Sequence, residues 1–208
     1  MARKRSVQQS RAKRTREDLL EAARRVFANQ GYAGATIDDL TAEAGVSKGA
    51  FYFHFDSKED ILVALVTDWA NEISEGVQEL TRTGDLERAG LRAALNRLFS
   101  VGNSTWQPRL VLEFLSQAEQ HERVGVALVA AQDAWRTAMA KLISKARRAG
   151  VADEGLSPDA IAAALLAIRD GLLMQACLPG SGREIDLRSA TKAALALLQP
   201  VRPMRRVS

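Results

Sequence analysis

A chain of 208 residues, 47% hydrophobic and 26% charged, has the balance of a globular protein that can bury a core unaided. Its single cysteine, Cys177, excludes an internal disulfide scaffold, and its longest uncharged apolar run, residues 160–168, is too short to span a bilayer. The net charge of +4 is unevenly placed: residues 1–16 hold seven cations (Arg3, Lys4, Arg5, Arg11, Lys13, Arg14, Arg16) and no acid, whereas residues 59–208 balance 18 against 18.

The basic surplus therefore belongs to the N-terminus, where residues 1–12 are expected to form a flexible basic arm of the kind that often touches nucleic acid. MARKRSVQQS has cations but no apolar stretch behind them, so a secretory leader is not expected; a cytoplasmic protein without membrane contact is.

Nearly every segment that follows reads as helix, and no run alternates with period two. Leu19, Leu20, Ala23, Val26 and Phe27 form an apolar stripe at helical spacing that ends at Gly31. Thr36 caps a short helix to about Ala44, and Gly45 ends it. Ser47 caps a second short helix to about Phe53. Ser57 and Asp60 form a capping box that opens a long helix to about Arg82. Further helices are expected over about 86–101, 108–120 with Pro108 in the first turn, 122–149, 158–178 with Ser157 as cap, and 186–199. The tail 200–208 carries two prolines and three arginines and is expected to be flexible. The count is nine helices and the class all-α.

Residues 36–55, TIDDLTAEAGVSKGAFYFHF, carry the function. Two short helices meeting at a glycine form the pattern of a helix-turn-helix. Gly45 permits a left-handed turn that a β-carbon would penalise. Ile37, Leu40, Val46 and Phe51 can then pack on Leu20, Ala23 and Phe27 of the first helix. The other side of the second helix holds Ser47, Lys48, Gly49, Tyr52 and His54, which are donors and a small residue rather than more core. Lys48 supplies a charge for phosphate, Gly49 allows close approach, and the Tyr52 hydroxyl can donate to a backbone oxygen. The major groove admits one helix of this size.

At GYAGATIDDLTAEAGVSKGAFYFHFDSKEDIL, residues 31–62, behind the helix TREDLLEAARRVFANQ, the sequence resembles the TetR family of bacterial transcriptional regulators. The resemblance covers residues 13–70 and includes Gly31-Tyr32, Thr36, Ala44-Gly45-Val46-Ser47, Gly49, Tyr52, Phe55 and Ser57-Lys58-Glu59. It implies a homodimer with a DNA-binding domain over 13–70 and a ligand-binding and dimerisation domain over 71–199. It also implies that Ser47, Lys48, Gly49, Tyr52 and His54 face DNA, and that Thr36 and Lys58 touch phosphates. Phe53 stands where a tyrosine is frequent and Ala50 has no polar group, so base-specific hydrogen bonds from those two positions are not expected. Ala50 can still meet a thymine methyl.

Behind residue 70 the resemblance is weak. AIAAALLAIRDGLLMQACL is apolar on nearly every face and must be buried on most sides. With the stripe Leu187, Ala190, Ala194, Leu195 and Leu198 of the last helix, it suits a four-helix dimer interface. A ligand pocket is expected among the middle helices, drawn from Phe99, Trp106, Phe114, Trp135, Met139, Met174 and Cys177, with Asn103, Gln117 and Arg169 as polar anchors. Arg169 either anchors a carboxylate or pairs with Glu113. Such a pocket suits a largely apolar small molecule with one polar or anionic end.

One cysteine and two histidines give no zinc set, GSGRE is no phosphate-binding loop, and no nucleophile–base pair stands out, so neither an enzyme nor a cofactor is expected. The reading is a repressor released from a palindromic duplex operator by a small-molecule inducer. The alternative is an all-α small-molecule-binding or interaction protein whose helix-turn-helix is non-functional.

Overall fold

A computed structural model describes residues 2–82, 91–93, 95–96, 108–150, 155–176, 192–194 and 196. Its helices are α1 (Ala2–Gly34), α2 (Ile37–Ala44), α3 (Lys48–His54), α4 (Lys58–Arg82), α5 (Pro108–Gln120), α6 (Glu122–Arg148) and α7 (Pro158–Ala176). Residues 91–93 with 95–96, and 192–194 with 196, are helical too, and no strand occurs among the described residues. These segments fall where the nine helices are expected. Phe99, Asn103, Trp106, Cys177 and the tail 200–208 lie outside the described residues.

The largest departure is at the front. Residues 2–12, expected as a flexible arm, form the first turns of α1. Arg, Lys, Gln and Ala are good helix formers, and no glycine or proline interrupts the chain before Gly31. Gly31 then breaks the helix with φ 74, a conformation a β-carbon disfavours.

The chain divides into two compact units, Met1–Trp69 with Thr105–Ala131, and Ala70–Ser104 with Gln132–Ser208. The first unit ends its leading stretch close to the expected boundary at residue 70, yet it also takes in α5 and the start of α6. The reason is α5's apolar stripe: Leu110, Val111 and Phe114 are buried, and α5 packs against α1. Around them lie Leu19, Leu20, Ala23, Val26 and Phe27 of α1, Leu40, Phe51 and Phe55 of the motif, and Ile61, Leu62, Leu65 and Val66 of α4. Ile37 and Val46, expected in this core, are only half-buried.

The second unit has its own core. Trp135, Met139, Leu142, Ile143 and Ala146 of α6 meet Ile161, Ala162 and Leu165 of α7, with Leu91, Leu95 and Ala194 from the shorter helical segments.

Candidate nucleic-acid interface

The motif is fixed by its own hydrogen bonds. Thr36 accepts from the Asp39 backbone N–H, and the Asp39 carboxylate accepts from the Thr36 N–H at 2.9 Å, a reciprocal cap; the Thr36 hydroxyl, and then this N–H, draw the Asp39 carboxyl below its ordinary range. Gly45 adopts φ 66, and its N–H returns to Ala42 while that of Val46 reaches Thr41 at 3.0 Å. This is the left-handed turn that the Gly45 position requires. Ser47 then caps α3 by accepting from the Ala50 N–H at 3.2 Å.

Helix α3 is anchored through Phe51, which is fully buried and stacks edge-on to Tyr52 and tilted to Phe55. Lys48, Gly49, Tyr52 and Phe53 of this helix are turned outward, whereas Ala50 is half-buried. Ser47, Lys48 and Gly49 are exposed, and Tyr52 and Phe53 are 54% and 75% exposed. Ser47, Lys48, Gly49 and Tyr52 are thus all open to the solvent. His54 is half-buried between Phe53 and Phe55, and burial followed by the nearby Arg16 charge lowers its pKa. Arg16 itself lies 5.5 Å above the Phe55 ring.

Two features of this surface escape a reading of residue types. Lys48 Nζ lies 2.6 Å from Asp38 Oδ1 of α2. Phe53 is a fully presented apolar group, not merely a position that lacks a hydroxyl; its spacing of two from Phe51 was the signal available in the sequence.

Thr36 is exposed, with its hydroxyl 2.6 Å from Asp39 Oδ2. Lys58 requires a correction. Its ammonium, expected on phosphate, donates to the carbonyls of Tyr32 at 2.6 Å and Ala35 at 2.8 Å and sits 4.3 Å above the Tyr32 ring. Burial lowers its pKa, against the charge of Glu113. The kink at Gly31 leaves those carbonyls outside the helical ladder, and a lysine in the first turn of α4 is the cation within reach. Glu113 of α5 closes the same junction, accepting from the Tyr32 N–H at 2.8 Å and from Gln117 Nε2 at 3.1 Å. Arg123 and His121 then meet the start of α4, at 2.7 Å from Asp60 and 3.5 Å from Glu59.

The expected ligand residues belong to both units. Phe114 and Gln117 are buried in the first unit, Phe114 against Trp69, because the apolar face of α5 turns to α1. Trp135, Met139 and Arg169 come together in the second unit. Arg169, 2% exposed, lies over the Trp135 ring at 5.4 Å and donates to Asp170 at 2.7 Å rather than depending on Glu113, which serves Tyr32 and Gln117. The Trp135 Nε1 is buried without a hydrogen-bond partner among the described residues. Met174, expected in the pocket, is 57% exposed.

Comparison with known proteins places both halves. Residues 19–65 match the family model described as bacterial regulatory proteins, tetR family, and residues 87–200 match the BetI-type transcriptional repressor, C-terminal. The transcriptional activator FasR of Mycolicibacterium smegmatis is 34% identical over 122 residues, covering 57% of this chain and 56% of that protein. The transcriptional repressor AcnR of Corynebacterium glutamicum is 43% identical over 65 residues, covering 31% and 35%. The chain thus spans about half or less of the length of the curated relatives it matches. Among solved structures, reduced Escherichia coli NemR aligns with a TM-score of 0.76 at 22% identity over 90% of this chain and 100% of that one. A TetR regulator of Haloarcula marismortui aligns at 0.75 and 22% over 89% and 97%. These two share the fold. No helix among the described residues is long and apolar enough to cross a membrane.

Proposed function

Because this chain belongs to the TetR family of bacterial regulatory proteins, we propose that it is a ligand-responsive DNA-binding regulator, a cytoplasmic homodimeric repressor released from a palindromic operator by a small molecule. The observation that carries the reading is α3. It buries Phe51 and turns Ser47, Lys48, Gly49 and Tyr52 outward on a helix narrow enough for the major groove. The match of the C-terminal half to a repressor model favours repression, although one relative is named as an activator. Ala160, Ala163, Ala164 and Ala167 line an exposed face of α7 where a second copy can pack closely.

In the second unit, the buried Arg169 and the unpartnered Trp135 N–H support a ligand with a polar or anionic end and an apolar body. Such a ligand weakens DNA binding only to the extent that it prefers the arrangement in which the two α3 helices are wrongly spaced. The basic start of α1 adds sequence-independent attraction to the duplex.

The test is selection of duplexes from a random pool with the purified full chain, followed by titration at several salt concentrations. Two half-sites about 34–36 Å apart are expected, with affinity falling steeply as salt rises. An all-α binding protein with a non-functional motif would select no sequence and show no salt-dependent duplex binding.

A further inference from the structure

We propose that Phe53 reads a thymine methyl group in the major groove and so sets part of the sequence preference. The proposal rests on the DNA-binding reading above. Successive helical residues are turned by about 100°. Taking Phe51 as the inward direction, Phe53 and Gly49 fall on the opposite side of α3, one turn apart, with Lys48 and Tyr52 on the flank. Phe53 is accordingly the most exposed of the large hydrophobic side chains described, while Phe51, two residues before it, is fully buried.

Among the described residues Phe53 meets only the His54 ring, edge-on, and no close neighbour requires a glycine at position 49. An exposed phenylalanine on a short helix leaves its apolar surface in water. Gly49 is not in the left-handed region, and a β-carbon there would meet only Ser47 Oγ at 3.8 Å. A glycine so placed weakens the helix without relieving a clash. Phe53 therefore shares the outer stripe of α3 with a position that carries no side chain, flanked by the Lys48 cation and the Tyr52 hydroxyl. Among the base edges in the major groove, only thymine presents an apolar group, its C5-methyl. A donor or acceptor edge placed against Phe53 would lose its hydrogen bond to water without a replacement.

The experiment uses the full chain and a duplex selected by it. Each thymine is replaced in turn by uracil, which removes the methyl and leaves base pairing intact, and binding is measured for the wild type, Phe53→Ala and Phe53→Leu. For the wild type, uracil at one thymine of the half-site is expected to weaken binding roughly fourfold, the worth of one buried methyl. Phe53→Ala should bind the thymine duplex more weakly and lose the uracil penalty at that position alone; Phe53→Leu should keep part of it. A wild type indifferent to uracil at every position, or a Phe53→Ala protein that keeps the full penalty, overturns the proposal while leaving DNA binding intact. A wild type that selects no duplex removes the DNA-binding reading and this proposal with it. Melting curves of both variants should match the wild type, since the side chain supports no core.

Discussion

The ammonium of Lys48 is held 2.6 Å from the Asp38 carboxylate across the two helices of the motif, so the cation nearest the proposed DNA face is already paired inside the protein. Asp38 raises the Lys48 pKa, first through the hydrogen bond and then through its charge. Phosphate must compete with Asp38 for this group, and Asp38 itself repels phosphate. Asp38→Asn should therefore strengthen duplex binding about two- to fivefold across all sequences. Lys48→Ala should weaken it and flatten the dependence of log affinity on log salt by about one unit. Fluorescence anisotropy at four salt concentrations measures both; an unchanged slope for Lys48→Ala would take that lysine out of the interface.

Gly49→Ala separates stability from binding. The substitution fills empty space and favours the helix, so the melting temperature should hold or rise. Duplex affinity should nevertheless fall, because the added methyl stands between α3 and the groove. Thermal denaturation paired with binding titration checks the two signs; equal affinity would mean that DNA does not approach this closely.

Lys58→Met tests the corrected role of Lys58. Two charge-assisted bonds to the Tyr32 and Ala35 carbonyls are lost from a half-buried site, which should cost about 1–3 kcal/mol in urea unfolding. The salt slope of duplex binding should stay at the wild-type value. A slope reduced by one unit with unaltered stability would restore the phosphate contact.

His54 predicts a pH effect on stability. Burial, and then Arg16, lower its pKa below the ordinary value near 6.5, so folding favours the neutral ring. That contribution is complete above about pH 6.5 and is lost as pH falls through the lower folded-state value. Denaturation midpoints at pH 7.5 and pH 5 should fall less in His54→Gln than in the wild type. Identical losses would mean that the ring titrates equally in both states.

Arg169→Met and Trp135→Phe address the ligand. Each removes a buried polar donor and keeps most of the side-chain volume, which avoids the roughly 3–5 kcal/mol cavity cost of an alanine at Trp135. Operator affinity without inducer should stay within about twofold. The inducer concentration for half-release should rise about tenfold, the loss of one hydrogen bond to a charged or polar group. The assay is operator binding titrated with a releasing compound found by screening apolar amphiphiles; unchanged release in both variants would make these residues plain core.

Much of the protein was decided by local chemistry and was legible in one dimension. Thr36 with Asp39, Ser47, and Ser57 with Asp60 are caps acting over three residues, and Gly45 is a turn dictated by one missing β-carbon, so α2, α3 and the start of α4 stand where those residues put them. Leu40 and Phe51 are buried as their apolar type in the motif suggests, whereas Ile37 and Val46 are only half-buried. What only tertiary structure decided involves partners far apart in sequence. Lys58, which the family resemblance assigns to phosphate, donates to two carbonyls 26 and 23 residues upstream, beside the kink at Gly31. Phe114 and Gln117 are buried because the apolar stripe of α5 packs on α1, where Glu113 meets Tyr32, 81 residues upstream. Residue type and period determine that such a side chain is buried or charged; which surface buries it, and which backbone group accepts its hydrogen bond, depends on how the helices pack.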